Sequence, residues 1–132
     1  MKRVLLAIAC AAALSFFVFA QDADYQKWMK DVGATNTALG KELSAKSPDA
    51  ANDAKKLADL FGPVHDYWQK KGVDDAAKEA GDAQAGFKQA ADLLSAGKFD
   101  EAGAAVKAAT NNCASCHMDH RERHPDGSYS IK

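Results

Sequence analysis

The chain is poor in several residue types at once. It holds three cysteines and three prolines in 132 residues, so no dense disulfide framework staples it and no proline-rich linker divides it. It lacks an excess of either charge: 17 Lys and Arg stand against 18 Asp and Glu, a net charge of -1, which offers no basic surface to a nucleic acid. β-branched residues are sparse, so no convincing strand is expected. What is present in quantity is alanine and other apolar residues, and a 47% hydrophobic content is too high for disorder. One compact all-α domain is the simplest reading.

The first twenty residues stand apart. Lys2 and Arg3 precede an almost unbroken apolar stretch from Val4 to Phe19, and Ala20 is a small residue placed for signal peptidase before Gln21. Residues 1–20 are expected to be a secretory signal peptide cleaved after Ala20. An uncleaved membrane anchor and lipidation at Cys10, within Ala7-Ile8-Ala9-Cys10, are the alternatives. Cleavage leaves residues 21–132 as a periplasmic chain with no membrane association. Loss of Lys2 and Arg3 takes its basic count from 17 to 15 against 18 acidic residues, a net charge of -3. Only Cys113 and Cys116 survive, in an oxidising compartment where two nearby thiols normally pair unless something else claims them.

Apolar positions in the remainder recur at helical spacing, and punctuation divides them into four segments. Over about 22–46, behind an Asp22 cap, Tyr25, Trp28, Met29, Val32, Leu39 and Leu43 form one stripe. Ser47-Pro48 reads as N-cap and first helical residue of a second helix, with Ala50, Ala54, Leu57, Phe61, His65 and Trp68 on one face and a candidate kink at Gly62-Pro63. Lys70-Lys71-Gly72 closes it. Asp74 opens a third, with Ala77, Ala80, Ala83, Phe87, Ala91 and Leu94 inward and Gly97 as its stop. Asp100 is the expected cap of a fourth, which passes through Val106, Ala109, Cys113 and His117 to about His124, where Pro125 and Asp126-Gly127 end it. Matched helices with short connections predict an antiparallel up-down-up-down four-helix bundle.

Cys113-Ala114-Ser115-Cys116-His117 is the C-x-x-C-H pattern of covalent haem c attachment. On a helix Cys113 and His117 lie one turn apart and Cys116 shares their third of the circumference. Two thiols can then add across the haem vinyl groups while the His117 imidazole reaches the iron as proximal ligand. A structural disulfide or a thioredoxin-like pair needs only Cys113 and Cys116, but the latter belongs at a strand-to-helix junction that is not evident here. A zinc site from Cys113, Cys116, His120 and His124 would have to span about 16 Å of continuous helix, against ligand bonds of ~2.0–2.3 Å. One covalent haem is the expected cofactor, enclosed by the bundle.

Cys113 to Arg121 reads C-x-x-C-H-x-x-His-Arg, near the end of a four-helix pattern, and with it the chain to about Arg121 resembles the class II c-type cytochromes, the cytochrome c′ and cytochrome c-556 group. His120 stands where that family usually has Phe or Tyr, and Arg121 fills the basic position beside the proximal histidine. Met29-Lys30-Asp31-Val32-Gly33 is similar to the segment that presents a residue to the distal haem face, so the resemblance implies Met29 there. The arginine that the family often carries four residues earlier, associated with the haem propionates, is replaced by Tyr25, leaving Lys27, Lys30 and Arg121 as candidate cations. The resemblance also implies that a homodimer through the first two helices is open to this chain.

On the residues alone the distal side has two candidates, Met29 and His65, and each also reads as an ordinary core residue. His120 and His124 continue the stripe of His117 and stay on its side, His120 at the haem edge and His124 at a solvated helix end. With the resemblance, the expectation is iron held by His117 and Met29; an open sixth position and a His117/His65 pair are the alternatives. Trp28, with Tyr25, Phe61, Trp68 and Phe87, is expected to wall the pocket. The tail, 126–132, is expected to lie on the surface or across the haem edge. The implied function is single-electron carriage by Fe(II)/Fe(III) cycling between redox partner proteins, not enzymatic turnover. An open sixth position would instead give a module that binds small diatomic gases, NO or CO, as cytochrome c′ proteins do.

Overall fold

A computed structural model describes the backbone of residues 2–132 and the side chains of residues 23–132. The side chains of the expected signal peptide, Cys10 among them, and of the Asp22 cap lie outside the described residues. Four helices follow one another: α1 (Lys2–Ser44), α2 (Ala50–Lys71), α3 (Asp74–Ser95) and α4 (Phe99–His120). A short antiparallel ladder, β1 (Arg121–Arg123) with β2 (Tyr129–Ile131), ends the chain. Among the described residues no helix is long and apolar enough to cross a membrane.

The three connections between helices end in the same way. Backbone N–H groups reach back in the paired Schellman pattern: Ser47 to Glu42 and Lys46 to Leu43, Val73 to Trp68 and Gly72 to Gln69, Lys98 to Leu93 and Gly97 to Leu94. The residue that turns left-handed is glycine in two of them, Gly72 at φ 70° and Gly97 at φ 74°. Lys46, at φ 50°, does the same work without glycine's freedom, and nothing in the local sequence marks it. The helix starts depart from expectation. Ser47 Oγ accepts the Asp49 N–H at 3.2 Å, but Pro48 and Asp49 form a turn and α2 begins at Ala50. Asp100 makes no side-chain cap, since α4 has already begun at Phe99.

Apolar stripes face inward as their spacing predicts. Ala77, Ala80, Ala83, Phe87, Ala91 and Leu94 of α3 are all buried, and so are Tyr25, Val32 and Leu39 of α1. α1 packs on α2, α2 on α3 and α3 on α4. The α3–α4 seam is close: a Cβ at Gly86 would lie 2.8 Å from the Ala109 Cβ. α2 runs unbroken through Gly62-Pro63. Pro63 supplies no N–H to the preceding turn, and Gln84 of α3 donates from Nε2 to the nearby Ala58 carbonyl at 3.1 Å.

The expectation of a fourth helix to about His124 is corrected. The backbone turns extended at Arg121 (φ -118°, ψ 129°), and β1 pairs Arg121 with Ile131 and Arg123 with Tyr129. The residue before a proline avoids helical backbone, so His124 could not have continued α4. His124 instead closes the hairpin: its N–H donates to the Ser128 carbonyl at 2.9 Å, and its Nε2 meets Ser130 Oγ at 2.8 Å. Asp126 Oδ1 accepts from both the N–H and the hydroxyl of Ser128, which fixes the turn and holds its carboxyl below the usual range.

Candidate functional site

α1 and α4 do not share the close packing of the other helix neighbours. Between them lies a cavity of about 1080 Å³, at the upper end of the ~300–1,000 Å³ typical of pockets for organic ligands. From α4 it receives Cys113, Cys116, His117 and His120; from α1 come Tyr25, Met29, Val32 and Gly33. Phe61 and Val64 of α2 and Glu79, Ala80 and Phe87 of α3 complete the wall, and the hairpin from Gly127 to Ile131 borders it. The helical period explains the α4 set, since steps of three and four residues return to one face. It also explains how Met29 and Gly33 of α1 share a face, one turn apart.

Cys113 and Cys116 are free thiols in the last turns of α4, Cys113 with its Sγ 3.8 Å from the Ala109 carbonyl. Burial raises the Cys113 thiol, and burial followed by the Glu79 carboxylate pushes Cys116 up to about 12. Both therefore stay neutral at ordinary pH. A reactive redox pair needs the reverse, a lowered thiol at a helix N-terminus, so the thioredoxin-like alternative does not fit this position. The histidines of the zinc alternative are engaged separately: His120 Nε2 meets Asp75 Oδ2 of α3, while His124 Nε2 meets Ser130 Oγ within the hairpin.

His117 is half-buried, and burial, then the neighbouring Arg121 guanidinium, hold its imidazole below the usual histidine value. Arg121 Nη1 lies 3.3 Å from His117 Nδ1. A guanidinium only donates, so this contact requires a lone pair on Nδ1. The same guanidinium stacks on Tyr129, its Cζ 3.3 Å from the ring centroid. His120 packs its ring 5.2 Å from that of Trp68, and its Nε2 meets Asp75 Oδ2 at 3.2 Å, which ties the end of α4 to the start of α3. Trp68 Nε1 donates to the Tyr25 hydroxyl at 3.3 Å, and burial pushes that phenol up to about 12.

The remaining candidates separate. Met29 is half-buried and lines the cavity. His65 lies outside the cavity lining, over Gly81 of α3, with Nδ1 3.2 Å from Asp66 Oδ1. Trp28 packs against the core but does not line the cavity either. Of the candidate cations, Lys27 is engaged with Asp31 at 2.8 Å and Arg121 with His117 and Tyr129. Lys30 lines the cavity too.

Two features were not anticipated from the sequence, the buried Glu79 carboxyl and the pairing of the tail into a hairpin. Glu79 lines the cavity beside Cys116, and its Oε2 is buried with no hydrogen-bond partner. No local signal distinguishes it from a glutamate on a solvated helix face. Tyr129 and the hairpin that carries it border the cavity, and Pro125-Asp126-Gly127 was the available cue, a turn signal between short segments. No protein-family model, no curated protein and no solved structure matches this chain.

Proposed function

We propose that the chain is an exported, periplasmic monohaem c-type cytochrome that passes single electrons between redox partner proteins and is not an enzyme. One observation carries the reading: Cys113, Cys116 and His117 from α4 and Met29 from α1 line the same apolar cavity, while His65 does not. That donor set suits haem c, two thiols for covalent attachment beside an imidazole, with a soft thioether arriving from another helix. Cys113 and Cys116 would hold the group, His117 would serve as proximal iron ligand and Met29 as distal. When bound, haem c supplies a one-electron Fe(II)/Fe(III) couple.

The chain's own residues would favour such a couple in several ways. Tyr25, Phe61 and Phe87 give the cavity an apolar, aromatic wall, and a packed apolar wall would limit rearrangement as charge changes. Met29 offers an uncharged sulfur, and methionine with histidine raises the potential relative to two histidines. Lys30 at the cavity is the cation proposed to face the propionates. The same reading takes the four helices as an antiparallel up-down-up-down bundle, since turns as short as Ala45–Asp49 and Gly72-Val73 favour antiparallel neighbours.

Expression with haem c maturation, followed by acid-acetone extraction, should leave haem on the polypeptide. Optical and EPR spectra of the wild type should be low-spin ferric, and Met29→Ala should turn them high-spin. A high-spin wild type that takes up CO readily would replace this reading with the five-coordinate, gas-binding one.

A further inference from the structure

The C-terminal hairpin has no role in the electron-carrier reading, yet it reaches the proposed iron ligand through one intermediate. In the β1–β2 ladder Tyr129 stands opposite Arg123, and so diagonal to Arg121. Diagonal neighbours are within reach of aromatic and long side chains. The hairpin is held in place by bonds that do not involve the Tyr129 ring. Gln26 of α1 donates to the Tyr129 carbonyl at 3.4 Å, Lys132 N–H donates to the His120 carbonyl at 3.0 Å, and Lys132 Nζ donates to the Met118 carbonyl at 2.7 Å. Ile131 packs against the core. Tyr129 itself is 41% exposed, so its ring is not there to fill the interior.

What the ring does is lie against the Arg121 guanidinium, whose Nη1 touches His117 Nδ1. That contact needs a lone pair on Nδ1, which puts the proton of a neutral ring on Nε2. If His117 gave its Nε2 lone pair to a bound iron, the ring's proton would sit on Nδ1 and two donors would face each other. That hydrogen bond would then be lost, and a guanidinium with nothing else to hold it would turn to water. A face-on stack is indifferent to where the imidazole proton lies.

We propose, on the basis of the electron-carrier reading, that Tyr129 is a positioning residue for the iron ligand: it keeps the Arg121 cation beside His117 when haem is bound. A fixed cation beside the ligand disfavours the more positive, oxidised state, so the stack raises the reduction potential.

The test is a potentiometric titration of the haem-loaded protein and of Tyr129→Phe, Tyr129→Leu, Arg121→Gln and the Tyr129→Leu/Arg121→Gln double variant. Tyr129→Phe keeps the ring and should keep the wild-type midpoint. Tyr129→Leu and Arg121→Gln should each lower it with the low-spin spectrum unchanged, and the double variant should fall no further than Arg121→Gln. A Tyr129→Leu shift that persists in full without Arg121, or a Tyr129→Phe shift equal to it, overturns the proposal. Coincident midpoints in a loaded wild type and all variants overturn it while leaving the electron-carrier reading intact. A wild type with no covalent haem overturns both.

Discussion

The seam between α3 and α4 and the gap between α1 and α4 are built from opposite kinds of residue. At the seam Gly86 meets Ala109 so closely that no Cβ fits, and Ala76, Ala83 and Ala90 of α3 and Ala102 and Ala109 of α4 are all buried. Small side chains let helix backbones approach, and close packing then supplies cohesion without an occupant. At the gap the lining is large, with Tyr25, Met29, Phe61 and Phe87 standing around about 1080 Å³ of space. The first region is a scaffold that closes on itself; the second leaves a cavity, and it is where the C-x-x-C-H residues lie.

The comparison breaks most sharply if the closed side is hollowed. Leu57 is 0% exposed and does not line the cavity. Leu57→Ala should therefore cost about 2–5 kcal/mol of unfolding free energy, the transfer loss plus the new void. Met29→Ala removes a side chain of similar size from the cavity wall, where part of its surface already faces open space, and should cost less in the haem-free chain. Urea unfolding of both variants measures the difference. Equal losses would mean that the wall of the gap is packed as tightly as the closed core.

Overfilling tests the same contrast from the other direction. Gly86→Ala forces a methyl group to within 2.8 Å of the Ala109 Cβ and 3.3 Å of its Cα, so α3 and α4 must part. Overpacking of this kind costs about 1–3 kcal/mol. Gly33→Ala, which lines the gap and meets nothing within 4 Å, should be neutral or mildly stabilising by helix propensity. A destabilised Gly33→Ala beside a tolerated Gly86→Ala would invert the picture.

The scaffold is far more legible in the sequence than the gap. The α3 stripe from Ala77 to Leu94 declares its buried face because each residue's partners lie at helical spacing along one helix. Gly72 and Gly97 mark their turns because left-handed backbone favours glycine. Cys113, Cys116 and His117 are legible for a similar reason, since the proposed covalent attachment to one group would impose a fixed local spacing. Glu79 and Tyr129 escape because their significance is relational. Glu79 sits at the edge of a buried stripe, and only the third dimension shows that this edge opens beside Cys116. β1 and β2 are three residues each, too short for an alternating pattern to register, and β1 is Arg-Glu-Arg. Ser47-Pro48 misplaces the start of α2 by two residues because Pro48 and Asp49 form a turn before the helix begins.

The smallest expected effect lies where the two regions meet. Asp75, at the start of α3, accepts the Ala76 N–H at 2.9 Å and faces His120 Nε2 at 3.2 Å, so it joins the closed wall to the last turn of α4. The Ala76 N–H first, then the His120 ring, hold its carboxyl below the usual range. A carboxyl lowered in the folded state contributes stability that is present above the ordinary value of about 3.9 and fades as the pH falls through the lower folded value. Asp75→Asn keeps the side chain's shape and loses the charge. It should be slightly less stable than the wild type at pH 7, and the two urea midpoints should converge on acidification below about pH 4. Because Asp75 is exposed, water and salt screen most of its pairing, and added salt should narrow the neutral-pH difference further. A difference that stayed constant from pH 7 into the acid range would place the loss in the geometry of the Ala76 hydrogen bond. A difference that closed with acid would place it in the charge, and would make the link between wall and gap an electrostatic one.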